Sequence, residues 1–349
     1  AAAIAVLVWH ATRYWFVTDD AYISFVFSRN FAEHNELSFN LGEPVEGYTN
    51  FLWTLILGLL MKVGINPEVS SQVLGIGCAA GTLMLVARMV RRALPNAPVL
   101  AVWAPAILAV SSGFACWSSG GLETQLFTVM VAASLDRYLG YLAAEPMQAR
   151  ARLWPLGVWL ALASMTRPEG PMVAALIAAH RVIGNLVIGD AAGKRRWRPT
   201  RQEWLTVGVF LLLWAPWFSW RWWYYGYPFP NTYYVKAHGA WRPASLAADM
   251  WSNGAFYVGV WAKDVRLIWV YPLALTALLS PWRSPRGQLV SLALPMGAVY
   301  LVYAISVGGD FMGLHRFIMP VFVLTALVAA VGLGNAAPLL RLALSTRRA

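Results

Sequence analysis

Two adjacent aspartates, Asp19 and Asp20, follow the first apolar stretch of the chain, with Ile23, Phe27 and Phe31 recurring behind them at helical spacing. A carboxylate at the start of a helix can cap free backbone N–H groups. It can equally act as general base for an incoming hydroxyl, its neighbour positioning the base or the acceptor. Arg167, Arg316, Lys236 and His315 supply the opposite charge. Arginine suits bidentate contact with phosphate, so these four are candidate donors to an anionic headgroup. Local partners are also at hand, Glu169 or Glu123 for Arg167 and Asp310 for Arg316. Glu46, Tyr48, Asn50, Glu123, Glu169, Asn231, Tyr233 and Asp310 complete the polar set as candidate substrate contacts. The twelve aromatic residues from Trp214 to Tyr234 read either as an interfacial belt or as stacking surfaces for sugar rings, and Pro228, Pro230 and Asn231 mark a rigid turn there.

Other chemistries lack their residues. The sequence carries no Walker motif, no dinucleotide fingerprint, no His-rich metal spacing and no defensible Ser-His-Asp set, so neither metal nor cofactor is expected. Cys78 and Cys116 lie in or beside apolar runs and make no disulfide framework.

The elements that position these residues must be membrane helices. Of 349 residues, 59% are apolar and 12% charged, and the mean hydropathy is +0.54, whereas soluble domains run near 45–50% apolar and about 25% charged. Apolar stretches occur near 1–17, 51–65, 69–90, 98–116, 122–142, 153–165, 170–188, 204–223, 265–280, 288–307 and 314–340. The net charge of +11 raises the question of a nucleic-acid partner. Its distribution answers against one, because basic residues cluster in alternate loops as they do on the cytoplasmic side of membrane proteins. With those clusters inside, 17 basic and 4 acidic residues are cytoplasmic.

This arrangement requires that 51–65 not cross alone, which gives about ten spans with both ends cytoplasmic; eleven spans with mixed loops are the alternative. The chain begins in an apolar run without Met or a cleavable signal pattern, and that run is expected to remain as a helix. Residues 1–349 read as one transmembrane domain, with a first extracytoplasmic loop at 18–50 containing an amphipathic surface helix, and a second large loop at 224–264. All the polar motifs then fall on one side, where an extracytoplasmic cavity gathers them.

The motifs are familiar as a series. Asp19-Asp20-Ala21-Tyr22-Ile23-Ser24, Gly42-Glu43-Pro44-Val45-Glu46-Gly47-Tyr48-Thr49-Asn50, Gly121-Leu122-Glu123-Thr124, Thr166-Arg167-Pro168-Glu169-Gly170, Pro230-Asn231-Thr232-Tyr233-Tyr234 and Gly308-Gly309-Asp310-Phe311-Met312 occur in that order. This resembles the GT-C glycosyltransferases related to the mycobacterial terminal β-(1→2)-arabinofuranosyltransferase family. Those relatives carry a further extracytoplasmic domain after the last span, without counterpart in residues 1–349.

The resemblance implies an all-α, polytopic GT-C-type bundle in a bacterial cytoplasmic membrane, its active site facing the periplasm or exterior. It also implies a polyprenyl-phosphate-linked sugar donor, most readily arabinofuranose, a glycan or protein acceptor hydroxyl, transfer with inversion, and an aspartate after the first span as base. A lipid-linked-sugar transporter and a non-catalytic membrane subunit are the alternatives. The transporter would share the cationic cavity without acceptor-dependent product release, and the subunit would not need the acidic pair.

Overall fold

Helix starts are written into the sequence at several points. Asn66 accepts from the Glu68 N–H at 2.8 Å with Pro67 in the first turn, Thr200 and Glu203 form a reciprocal capping box, and Ser284 precedes Pro285 and accepts from the Gly287 N–H at 3.1 Å. Each satisfies backbone donors that a helix start otherwise leaves open. The computed structural model describes residues 1–144, 152–189, 195, 198–232, 234 and 244–346.

Among these residues every regular element is a helix. In order come α1 (Ala2–Tyr14), α2 (Asp19–His34), α3 (Phe51–Lys62), α4 (Pro67–Ala93), α5 (Leu100–Val110), α6 (Ser112–Ser119), α7 (Thr124–Ala143), α8 (Trp154–Thr166), α9 (Gly170–Ile183), a π turn (Gly184–Ile188) and α10 (Arg201–Tyr225). Then follow α11 (Ala244–Asp264), α12 (Leu267–Ala277), α13 (Pro285–Ser306), a 3-10 helix (Gly313–Ile318) and α14 (Met319–Thr346).

Four helices are long and apolar enough to cross a membrane: Pro67–Ala93, Gly170–Val187, Pro285–Ser306 and Gly313–Ala337. The pair Leu100–Val110 and Ser112–Ser119, bent by 64°, makes a fifth if it is one span. Against the expectation of about ten crossings, length and composition therefore single out four or five among the described residues. The other apolar stretches fall short for visible reasons. α3, with 12 residues, spans about 18 Å, well under a hydrocarbon core of about 30 Å, and α7 carries Asp136 and Arg137.

α4 and α14 form the centre. The apolar window of α14 is 78% buried, and α4 packs against α1, α3, α5, α6, α7, α13 and α14. Close crossings depend on small residues, which let backbones approach where lipid gives no hydrophobic drive. A Cβ at Gly75 of α4 would stand 2.4 Å from the Ser118 carbonyl oxygen of α6. Gly75→Ala is therefore expected to overpack that crossing and cost about 1–3 kcal/mol, read as a lowered unfolding midpoint in detergent. An unchanged midpoint would show that α6 can shift away.

Two sequence expectations change. α2 forms, but its buried face is Ala21, Ser24, Phe25, Phe27, Ser28 and Asn30, while Ile23 is exposed. α2 packs on α3, with the Ser28 hydroxyl donating to the Thr54 carbonyl at 2.8 Å. The helix is thus held by protein rather than by a lipid-facing Ile23-Phe27-Phe31 stripe. Residues 244–264, expected within a large loop, are the helix α11, packed against α13 where Gly254 meets the Ile305 backbone.

Candidate active site

The Asp19-Asp20 pair is placed by its backbone. The Thr18 N–H donates to the Gly120 carbonyl at 3.2 Å, and Gly121 holds the left-handed φ of +83° with Ala21 and Val17 close against it, which only glycine does without strain. The start of α2 is thereby seated on the loop leading into α7. Asp19 Oδ1 accepts from the Thr18 hydroxyl at 3.1 Å and from the Asp20 N–H at 2.9 Å. Thr18 makes no side-chain cap, so the capping role falls locally to Asp19. Asp20 is turned the other way, its Oδ2 3.7 Å from Arg316 Nη2.

Arg316 is fixed from beneath by Asp310, whose Oδ2 accepts from Nε at 2.7 Å. Asp310 sits after Gly308 and Gly309, with φ of +85° and +73°, and its Oδ1 accepts from the Met312 N–H at 3.3 Å. The guanidinium also lies 5.6 Å from the Trp117 ring. The Arg316 and Asp310 side chains are 14% and 7% exposed, against 36% for Asp20. The tight partner of Arg316 is therefore the buried Asp310, and the loose one is the accessible Asp20.

A second cluster adjoins it. Arg167 donates from Nε and Nη2 to the two carboxylate oxygens of Glu169, both at 3.1 Å, and from Nη1 to Glu123 Oε1 at 3.0 Å. Glu123 Oε2 accepts from Asn50 Nδ2 at 2.9 Å, and Asn50 is held by Ser24 and Thr54. The Arg167 guanidinium lies 5.1 Å from the ring of Phe317, the residue after Arg316. Sequence motifs separated by more than two hundred residues thus meet at one end of the bundle.

Glu46 and Tyr48 belong to a third cluster. Arg221 donates from Nε to Glu46 Oε1 at 2.6 Å and from Nη1 to the Pro228 carbonyl at 2.8 Å, while the Asn231 N–H donates to the Glu46 carbonyl at 3.0 Å. Burial pushes the Glu46 carboxyl above the usual carboxylate range, with Arg221 drawing it back. Tyr225 donates to the Leu37 carbonyl at 2.8 Å, leaving Tyr48 to donate to Tyr225 at 2.9 Å. This cluster clamps the loop 35–50 to the end of α10. It joins the aspartates through α2, whose Phe27 ring meets Tyr48 at 4.6 Å. Tyr233 and Lys236 lie outside the described residues.

His315 Nε2 lies 2.9 Å from Asp264 Oδ2. A carboxylate only accepts, so Nε2 carries the proton. Leu314 and His315 hold φ of +59° and +60°, a strained pair of non-glycine residues.

Sequence reasoning missed Arg221, a lone cation inside an aromatic run, and Tyr257, Trp261 and Tyr300, which it had no reason to separate from core. Among the described residues, the hydroxyls of Tyr257 and Tyr300, the indole nitrogen of Trp261 and Nδ1 of His315 are buried without a hydrogen-bond partner. The Tyr257 and His315 rings are 5.3 Å apart, and Tyr257 packs against Gly309. Among the described residues no three His, Cys, Asp or Glu side chains come together to hold a metal.

No family model matches the sequence. The chain is similar to the terminal beta-(1->2)-arabinofuranosyltransferase of Mycobacterium tuberculosis, 26% identical over 365 residues that cover 94% of this chain and 54% of the relative. It is likewise similar to the enzyme of that name from Corynebacterium glutamicum, 25% identical over 359 residues, 92% of this chain and 48% of the relative. The chain spans about half the length of these curated relatives. In fold it matches the crystal structure of ArnT from Cupriavidus metallidurans bound to undecaprenyl phosphate, with a TM-score of 0.67 and 16% identity, covering 95% of this chain and 59% of ArnT.

Proposed function

This chain, a multi-pass membrane protein with the fold of ArnT and distant homology to the terminal arabinofuranosyltransferases, is, we propose, a glycosyltransferase that moves a sugar from a polyprenyl-phosphate donor to an acceptor hydroxyl. The observation that carries the reading is Asp20 facing Arg316 at 3.7 Å, with Arg316 anchored on buried Asp310. A base and an anion site stand side by side at one end of an apolar bundle. The relatives' activity favours arabinofuranose as the sugar. The clustering of basic residues in the other loops supports a site on the extracytoplasmic side, and the bacterial relatives favour a bacterial cytoplasmic membrane.

Transfer with inversion is a single displacement. The acceptor oxygen bonds to the anomeric carbon as the bond from that carbon to the phosphate oxygen breaks. The acceptor proton passes to Asp20, and the departing lipid phosphate gains a negative charge. Arg316 stabilises that charge where it develops. Asp19, fixed through Thr18 and the Asp20 N–H, holds the turn on which Asp20 stands. Glu46 and Tyr48 shape the rim through the Arg221 clamp. Arg167, whose three bonded nitrogens all face carboxylates, serves the frame rather than the phosphate. Positioning both substrates in one orientation contributes much of the rate.

Arg316→Ala is expected to lower kcat/KM for the donor by about 10²–10³-fold, the usual loss on removing one preorganised charge stabiliser, with Arg316→Lys recovering part of it. The measurement is acceptor-dependent release of polyprenyl phosphate in membranes supplied with polyprenyl-phosphoryl arabinose. Donor affinity and turnover equal to the parent in Arg316→Ala would exclude this arginine as the phosphate site. Release without an acceptor, or movement of intact donor between leaflets, would point instead to hydrolysis or transport.

A further inference from the structure

We infer that the break between α11 and α12 is a docking site for the phosphate head of a polyprenyl lipid, lateral to Arg316; the inference rests on the lipid-phosphate reading above. α11 ends at Asp264 and α12 begins at Leu267. Between them Arg266 holds a φ of +50°, a left-handed conformation costly for a residue with a Cβ. The Val265 N–H donates to Trp261 at 2.9 Å and the Arg266 N–H to Lys263 at 3.0 Å. This last turn closes with Lys263 and Arg266 three positions apart, both exposed and lining one cleft.

The position of the break gives these cations their meaning. Trp261 packs 6.0 Å from Phe322, and the Thr276 hydroxyl donates to the Gly332 carbonyl at 3.0 Å. Asp264, the last residue of α11, lies 2.9 Å from His315 Nε2, so the break stands beside the end of the bundle that bears Asp310 and Arg316, and α12 runs from it along the apolar stretch Gly313–Ala337. Among the described residues neither Lys263 nor Arg266 has an ion-pair partner. Exposed unpaired cations at the mouth of an apolar helix bundle are expensive and mark paths for charged substrates.

The surroundings fit a lipid with one anionic head. Lys263, Arg266, Ala262, Leu267, Ile268 and Tyr271 line an open cleft of about 640 Å³. Below it Ile268 and Tyr271 are 78% and 62% exposed, and Leu275, Leu278 and Leu279 continue the same helical face. Two positive charges thus stand above an apolar strip at least three turns long. Asp264, between Lys263 and Arg266 in sequence, accepts from His315, the neighbour of Arg316. A phosphate leaving the cleft has a short route past His315 to the arginine.

The test uses the full chain in phosphatidylcholine nanodiscs, titrated with fluorescent polyprenyl phosphate. The double substitution Lys263→Gln with Arg266→Gly is expected to weaken binding by about tenfold or more, since two charged contacts are lost. Glycine relieves the left-handed strain at 266, so the loss would not reflect a failure to fold. Lys263→Arg should bind as the parent does. Equal affinity in the double variant and parent would overturn the docking site, as would equally effective competition by phosphatidylglycerol. The readout needs no sugar transfer. Absent transfer with cation-dependent binding would sink the enzymatic reading alone, and intact Arg316-dependent transfer with unchanged binding would sink the docking site alone.

Discussion

Asp20→Asn is expected to lower the proposed sugar transfer by about 10²–10⁴-fold, the usual range for removing a general base, while the protein remains folded and membrane-inserted. The amide keeps the size and hydrogen-bonding reach of the carboxylate but cannot take the acceptor proton. Asp20 is preferred to Asp19 on geometry. Asp19 Oδ1 is occupied by Thr18 and by the Asp20 N–H, whereas Asp20 meets only the loose 3.7 Å contact with Arg316. Because Asp310 holds Arg316 at 2.7 Å, Asp20 can turn to an acceptor without stranding the guanidinium. Asp19→Asn should therefore cost clearly less than Asp20→Asn, through a looser turn at the start of α2. The measurement is acceptor-dependent polyprenyl phosphate release at saturating donor. Full activity in Asp20→Asn would remove the base assignment, and the larger loss at Asp19 would transfer it there.

The aspartate pair, Arg167, Asp310 and Arg316 were legible in the sequence because charged residues at the ends of apolar runs have few inexpensive explanations. What the residue types did not reveal was their pairing. Whether Arg167 faces a phosphate or Glu169 and Glu123 depends on how the loop before α7 and the start of α9 come together, a contact across 44 residues that no local spacing encodes. Arg221 stayed hidden because an arginine among tryptophans also suits an interfacial belt, and only the fold carries Glu46 to it across 175 residues. Helix existence was readable from hydropathy. Membrane crossing was less so, since α3 and α8 are apolar yet short, and an apolar run does not say whether protein or lipid surrounds it. The α2 stripe failed for the same reason. Phe27 is apolar because it packs on Tyr48, and period alone does not distinguish a protein partner from a bilayer.

The Arg167 cluster carries the second large effect, on stability. Arg167→Met is expected to destabilise the protein by about 3–5 kcal/mol, the cost of removing one partner from a buried ion pair. Glu123 and Glu169 are 6% and 3% exposed and would be left as neighbouring buried carboxylates without their shared cation. Replacing all three by Glu123→Gln, Arg167→Met and Glu169→Gln should recover part of the loss, because well-packed neutral groups often match or exceed a buried ionic triad. Unfolding midpoints in detergent for the single and triple variants provide the measurement. The result also decides between the two uses of this arginine. A frame residue lowers the midpoint and reduces transfer only as the folded fraction falls. A phosphate ligand would leave the midpoint near the parent value and weaken donor binding, as Arg316→Ala is expected to do. Because Arg167 and Arg316 are linked through Phe317 and share the same end of the bundle, the contrast between their two variants separates the charge that holds the site together from the charge that meets the lipid.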